Sequence, residues 1–172
     1  GKFPVSIQPL GFLDTSVFSA WFTLKMKDKV QDGILQLREL RDDQLEPTDC
    51  AILKDWKSAR ALLSRIRTSA APYFKGRAPL LGKAWVEVLP PGAGTPWLAD
   101  SSDYAEQHLR TRACLIPAPG AVSHCGQAAA GLNVGLINLF DHKLLCSETN
   151  HGEHPRVHLI VDVKIPVDDP DT

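Results

Sequence analysis

Residues 156–163 read Arg-Val-His-Leu-Ile-Val-Asp-Val. With the two-residue period of a strand they split into two faces. Val157, Leu159, Val161 and Val163 make one wholly apolar face, and Arg156, His158, Ile160 and Asp162 make a mixed one. Such a strand needs a hydrophobic layer on one side and a pocket or water on the other. Arg156 and His158 therefore point the same way. The preceding stretches have the same short, interrupted character. Ala84–Leu89 stops at Pro90-Pro91-Gly92, Ala113–Ile116 runs into Pro117-Ala118-Pro119-Gly120, and Leu132–Phe140 is rich in Leu, Ile and Val. Short apolar runs separated by Pro and Gly read as strands joined by turns.

The first eighty residues have a different rhythm. Val30, Ile34, Leu37 and Leu40 recur at helical spacing among polar residues, which predicts a packing helix. A second helix is expected after Pro47, with Thr48 or Asp49 accepting from its free N–H groups and Trp56, Ala59, Leu63 and Ile66 on its buried side. Its basic residues, Lys54, Lys57, Arg60, Arg65 and Arg67, read as a solvated face, because no aromatic residues interleave with them. Helices followed by a run of short strands suggest an α+β domain, a β-sandwich or jelly roll with the helices on one outer face.

A chain of 172 residues is long enough to bury one real core, so a single domain is expected over 1–172. Its parts are a mainly helical segment 1–80, a strand-rich core 81–166 and an acidic, frayed tail 167–172. The 19 basic and 20 acidic residues leave a net charge of −1, which disfavours nucleic-acid binding. No apolar run approaches the ~20 residues of a membrane span, and no leader layout is present. A soluble protein is expected, cytoplasmic by default or the soluble or lumenal domain of a longer chain. Cys50, Cys114, Cys125 and Cys146 form no C-x-x-C pair and are read as free thiols rather than two disulfides.

All six histidines, His108, His124, His142, His151, His154 and His158, lie in the strand-rich half. Neutral imidazole is the commonest transition-metal ligand, so the clustering invites a metal hypothesis. Two segments sharpen it. Residues 118–126, Ala-Pro-Gly-Ala-Val-Ser-His-Cys-Gly, form a Pro-Gly turn feeding a strand that ends in His-x-Gly. Residues 150–163 run from Asn150 through Pro155 and Arg156 into the two-faced strand. A Ser-His-Asp hydrolase built from Ser123, His158 and Asp162 lacks any nucleophile-elbow pattern.

Pro-Gly-x-x-x-x-His-x-Gly, then Leu132 and Leu136, Phe140-Asp141, Asn150 and the final strand together resemble the aspartyl/asparaginyl β-hydroxylase domain over residues 84–166. The resemblance implies a double-stranded β-helix, a cupin-like jelly roll, and an Fe(II)- and 2-oxoglutarate-dependent dioxygenase. Such an enzyme would hydroxylate a side chain of an amino acid or of a peptide or protein substrate. It makes His124 the first iron ligand and puts Cys146 in the slot of the second, with His142 and His151 as substitutes that each require a change of register. It assigns Arg156, with His158 beside it, to the 2-oxoglutarate carboxylate, a role suited to a planar guanidinium fork.

Three departures from the family pattern stand out. A cysteine replaces the second histidine, the basic residues expected after His-x-Gly give way to Ala128-Ala129-Ala130, and the interval from His124 to Cys146 is too short for the family's usual additional strand pair. The first two favour an alternative, a jelly-roll binding or scaffold domain that has lost iron, whereas the Arg156 strand and the His124 turn favour the enzyme; the third reads as a shortened sheet or a lost loop.

Overall fold

The computed structural model describes residues 7–77 and 79–164, so the expected frayed tail lies outside the described residues. The strands are β1 (Ile7–Phe12), β2 (Ile34–Glu39), β3 (Thr48–Asp49), β4 (Leu80–Leu89), β5 (His108–Cys114), β6 (Ala121–Cys125), β7 (Ala128–Ala130), β8 (Leu136–Phe140), β9 (Cys146–Asn150) and β10 (Arg156–Lys164). The α-helices are α1 (Ser16–Trp21), α2 (Ala51–Lys54), α3 (Lys57–Ala70) and α4 (Asp103–Glu106). Seven strands form one antiparallel sheet in the order β1-β8-β5-β10-β4-β2-β3, and β7-β6-β9 form a smaller one facing it. The loop Gly94–Leu98 extends the small sheet by bridging to β9 at Gly94–Thr149 and Leu98–Cys146.

The two faces of β10 do what the alternation demands. Val157, Leu159 and Val161 join Ala84, Val86, Ala113 and Ile137 in the main core, against Ala59, Leu62, Leu63 and Ile66 of α3. Each such side chain removed from water contributes about 1.5–3 kcal/mol before entropy is charged against it. Phe18 of α1 stacks on Trp56 at 4.5 Å, which fixes the first helix to the start of α3. The helices thus cover the outer face of the large sheet, as expected, and its inner face looks toward the small sheet.

The N-terminal segment departs from its expected helical character. Residues 30–40 contain β2, not a helix, and β1 and β2 belong to the main sheet. The cause is the Asp32-Gly33 pair, which adopts left-handed φ values of 53° and 77° and closes a two-residue hairpin between Gln31 and Ile34. Leu35 and Leu37 then face the core while Ile34 and Gln36 face water. The second helix is interrupted at Asp55-Trp56, giving α2 and α3. Neither Thr48 nor Asp49 caps it, because both lie in β3 and Asp49 pairs with Arg38 instead.

Two strands, β7 and β8, lie between His124 and Cys146, one in each sheet. No helix among the described residues is long and apolar enough to cross a membrane.

Candidate functional site

Between the two sheets lies a cavity of about 410 Å3, bordered by Glu87 of β4, Arg110 and Arg112 of β5, Phe140 of β8, and Cys146 and Glu148 of β9. That volume lies within the usual range for small-molecule sites. The loop 95–100 closes one side, and His142, just beyond β8, completes the lining.

Strand register decides which side chains reach this space. In the small sheet Ser123 is paired with Glu148, His124 with Ser147 and Cys125 with Cys146. Directly paired residues share a face, and neighbours along a strand alternate. Ser123 donates to Glu148 at 2.8 Å, and Glu148 also binds Arg156 on the large sheet, so Ser123, Cys125, Cys146 and Glu148 occupy the inner face. His124 alternates with these, its ring 5.6 Å from that of Trp97, and it lines the cavity together with its strand partner Ser147.

The inner ends of β6 and β9 are joined by a disulfide between Cys125 and Cys146, whereas Cys50 and Cys114 are free. The expectation of four free thiols is corrected for this pair. Two cysteines placed opposite each other on one face of an antiparallel pair are close enough to bond, and no sequence spacing announces that.

Arg156 is on the mixed face of β10 as expected and is 1% exposed. Both terminal nitrogens of its guanidinium are already taken, while Nε is buried without a partner. One arm binds Glu148 and the other binds Glu87. Arg112 lies 3.2 Å from each of the same two carboxylates, so two arginines and two glutamates form one buried network. Burial opposes ionisation of Glu87, but Arg112 and Arg156 outweigh it and hold the carboxyl below the usual range.

His158, one pleat along from Arg156, is fully enclosed. Burial first, then Arg156 and Arg112, push its pKa well below the ordinary value, so it is neutral and faces Arg112 through Nδ1 at 3.5 Å. Further along β10, Arg110 grips Asp162 with Nε and Nη2 at 2.8 and 3.1 Å, and Tyr104 donates to the same carboxylate at 2.9 Å.

His142 is 5% exposed, and neither ring nitrogen has a partner. Burial, reinforced by Arg110, lowers its pKa, so this histidine too is neutral. His151 is exposed in the loop before β10, where its backbone N–H donates to Gly120.

The residues singled out from the sequence thus divide. Arg156 and His158 meet on the inner face; Cys146 is there but bonded to Cys125; His124 and His142 both line the cavity; His151 lies in the loop before β10. Among the described residues no group of three or more His, Cys, Asp or Glu side chains lies close enough together to hold a metal ion. Ferrous iron needs several imidazole or carboxylate ligands on one side with open positions opposite. The side chains present do not fit it.

Sequence reasoning missed Glu87, Glu148, Arg112 and Cys125. Glu148 carried a usable signal, because it stands two residues after Cys146 and so shares its face. Alternation with Val86 and with Ala113 puts Glu87 and Arg112 on the face away from the core, but that they meet Arg156 depends on which strands flank β10.

No family model matches this chain, and no curated protein matches it. The resemblance to the aspartyl/asparaginyl β-hydroxylase domain therefore rests on the quoted motifs alone. Solved structures do match. A non-heme monooxygenase, ThoJ, in its nickel complex is 13% identical with a TM-score of 0.62, covering 97% of this chain and 76% of that one. An oxidoreductase of the 2OG-Fe(II) oxygenase family from Burkholderia pseudomallei is 11% identical with a TM-score of 0.62, covering 77% of this chain and 68% of that one. The viral collagen prolyl hydroxylase of Paramecium Bursaria Chlorella virus-1, in its 2OG complex, is 12% identical with a TM-score of 0.58, covering 95% and 98%. At such identities the shared property is architecture, and this chain has the α+β double-stranded β-helix fold of the 2-oxoglutarate- and Fe(II)-dependent oxygenases.

Proposed function

We propose that this chain is a small-molecule-binding domain built on the oxygenase jelly roll, with the inner ends of β6 and β9 closed by a disulfide where the sequence resemblance calls for a metal ligand. The observation that carries this reading is the Cys125–Cys146 bond itself. It removes Cys146 from the candidate ligands and leaves His124 and His142 as the imidazoles along the cavity. The occupied guanidinium of Arg156 adds to it. To grip a cosubstrate carboxylate with both terminal nitrogens, Arg156 would have to release Glu148 and Glu87, leaving Arg112 alone to balance the two. A pocket can outlive its chemistry, because a fold does not oblige a function.

A second reading is favoured by the shared fold and by the placement of Arg156 and His158 on the inner face of β10. In it the protein is an Fe(II)- and 2-oxoglutarate-dependent oxygenase acting on a side chain of an amino acid or peptide. Iron and the keto acid would supply the oxidising chemistry, and the chain would contribute Arg156 as the carboxylate clamp and His124, which lines the cavity, as a ligand.

One experiment separates them. The protein is mixed anaerobically with Fe(II) and 2-oxoglutarate, with and without prior reduction by a dithiol, and its visible spectrum is recorded. A binding domain gives no metal-to-ligand band in either state. A band that His124→Ala abolishes would establish the oxygenase instead.

A further inference from the structure

The cavity between the sheets holds more acid than base. Glu87, Asp100 and Glu148 line it, against Arg110 and Arg112. Immediately behind, Asp162 is matched to Arg110, and Arg156 is shared by Glu87 and Glu148. Counting all seven groups leaves one carboxylate in excess. Asp100 is the odd one. Its Oδ1 accepts from the Ser102 backbone N–H and hydroxyl at 3.1 and 2.8 Å, and it forms no ion pair among the described residues.

Beside it is a second unfinished group. The Asp100 backbone N–H donates to the His142 carbonyl at 3.0 Å, which sets the two residues next to each other on the cavity wall. The His142 ring is 5% exposed with both nitrogens unpartnered. Buried polar atoms in folded proteins nearly always find a partner, so an imidazole left open on both sides inside a lined cavity calls for one from a ligand. The lining also holds the apolar side chains of Phe140 and Leu98, and Leu98 is 64% exposed.

On the binding-domain reading above, we infer that this cavity takes a small organic ammonium ion carrying an apolar or aromatic group, its nitrogen held by Asp100 with His142 alongside. The sign follows from the charge count. An ammonium neutralises the excess carboxylate, whereas 2-oxoglutarate would add two negative charges to a site whose arginines are already matched. Neutral His142 accepts from an N–H donor through one nitrogen and donates through the other, and Phe140 and Leu98 shelter the apolar part.

The test is titration calorimetry on the full chain at pH 7 with phenethylamine, its uncharged analogue 2-phenylethanol, and 2-oxoglutarate without metal. The amine is expected to bind saturably and at least about tenfold more tightly than the alcohol, the worth of one charge-assisted hydrogen bond, while 2-oxoglutarate shows no saturable heat. Asp100→Asn keeps the acceptor that Ser102 uses and is expected to remove the amine's advantage over the alcohol. Glu106→Gln, on exposed α4 outside the cavity, should leave it intact. Equal binding of amine and alcohol, no binding of the amine, tighter binding of 2-oxoglutarate, or an unchanged amine affinity in a folded D100N protein each overturns the inference. Should D100N lose its cooperative melt, the amine-to-alcohol comparison on the unaltered chain decides alone. Failure here would leave the iron test untouched, since that assay contains no amine and reads a different signal.

Discussion

Replacing Glu148 with glutamine tests the buried network directly. Glu148 is 5% exposed and stands against Arg156, which is 1% exposed, against Arg112 at 3.2 Å and against the Ser123 hydroxyl at 2.8 Å. The substitution keeps the shape and removes the charge, leaving Arg156 and Arg112 to share Glu87. Breaking a buried ion pair by neutralising one partner costs about 3–5 kcal/mol, because the other charge stays buried without compensation. For a domain whose whole stability is about 5–15 kcal/mol, that is a large fraction.

Urea unfolding followed by circular dichroism should show the midpoint falling with an unchanged slope. Adding Arg156→Met should recover about 1–3 kcal/mol relative to the sum of the single changes, since the two side chains touch. The same E148Q change frees one arm of Arg156 and is expected to raise any residual affinity for 2-oxoglutarate. A loss below about 1 kcal/mol, the ordinary worth of a solvated surface pair, would refute the picture of a closed interior network.

Acid should destabilise the protein early. His158, His142 and His108 all have pKa values depressed first of all by burial, so between the folded value and about 6.5 the unfolded chain binds protons that the folded one does not. Stability then falls with falling pH by up to about 1.4 kcal/mol per unit for each histidine. Glu87, also depressed, contributes stability that is present above its unfolded value and lost as pH falls through its folded one. Urea midpoints at pH 7.5, 6.5 and 5.5 check this, and a flat profile would contradict it.

Under denaturing, non-reducing conditions a maleimide should label Cys50 and Cys114 alone, and all four cysteines after reduction. Replacing Cys125 and Cys146 by serine should cost about 3 kcal/mol in urea, from the loop entropy that a cross-link of separation 21 suppresses. A methyl group at Gly152 would overlap the Pro119 carbonyl, where only backbone can give way, so Gly152→Ala should cost about 1–3 kcal/mol, read from its thermal melt.

The sequence by itself determined the two-faced final strand, because a period of two assigns each side chain to a face whatever lies beyond it. Val157, Leu159, Val161 and Val163 had to be core, and Arg156, His158 and Asp162 had to look the other way. It also carried the jelly-roll class, since short apolar runs broken by Pro and Gly have few other ways to bury one side. It misled at residues 30–40, where helical spacing of four apolar residues was overridden by the local demand of Asp32-Gly33 for a left-handed turn.

Only the tertiary structure decided what the inward residues meet. Glu87 is far from Arg156 along the chain and adjacent to it in space because β4 lies beside β10. Cys125 finds Cys146 because β6 pairs with β9 in one register. Register and strand order are set by the packing of the entire sheet, and no local motif fixes them.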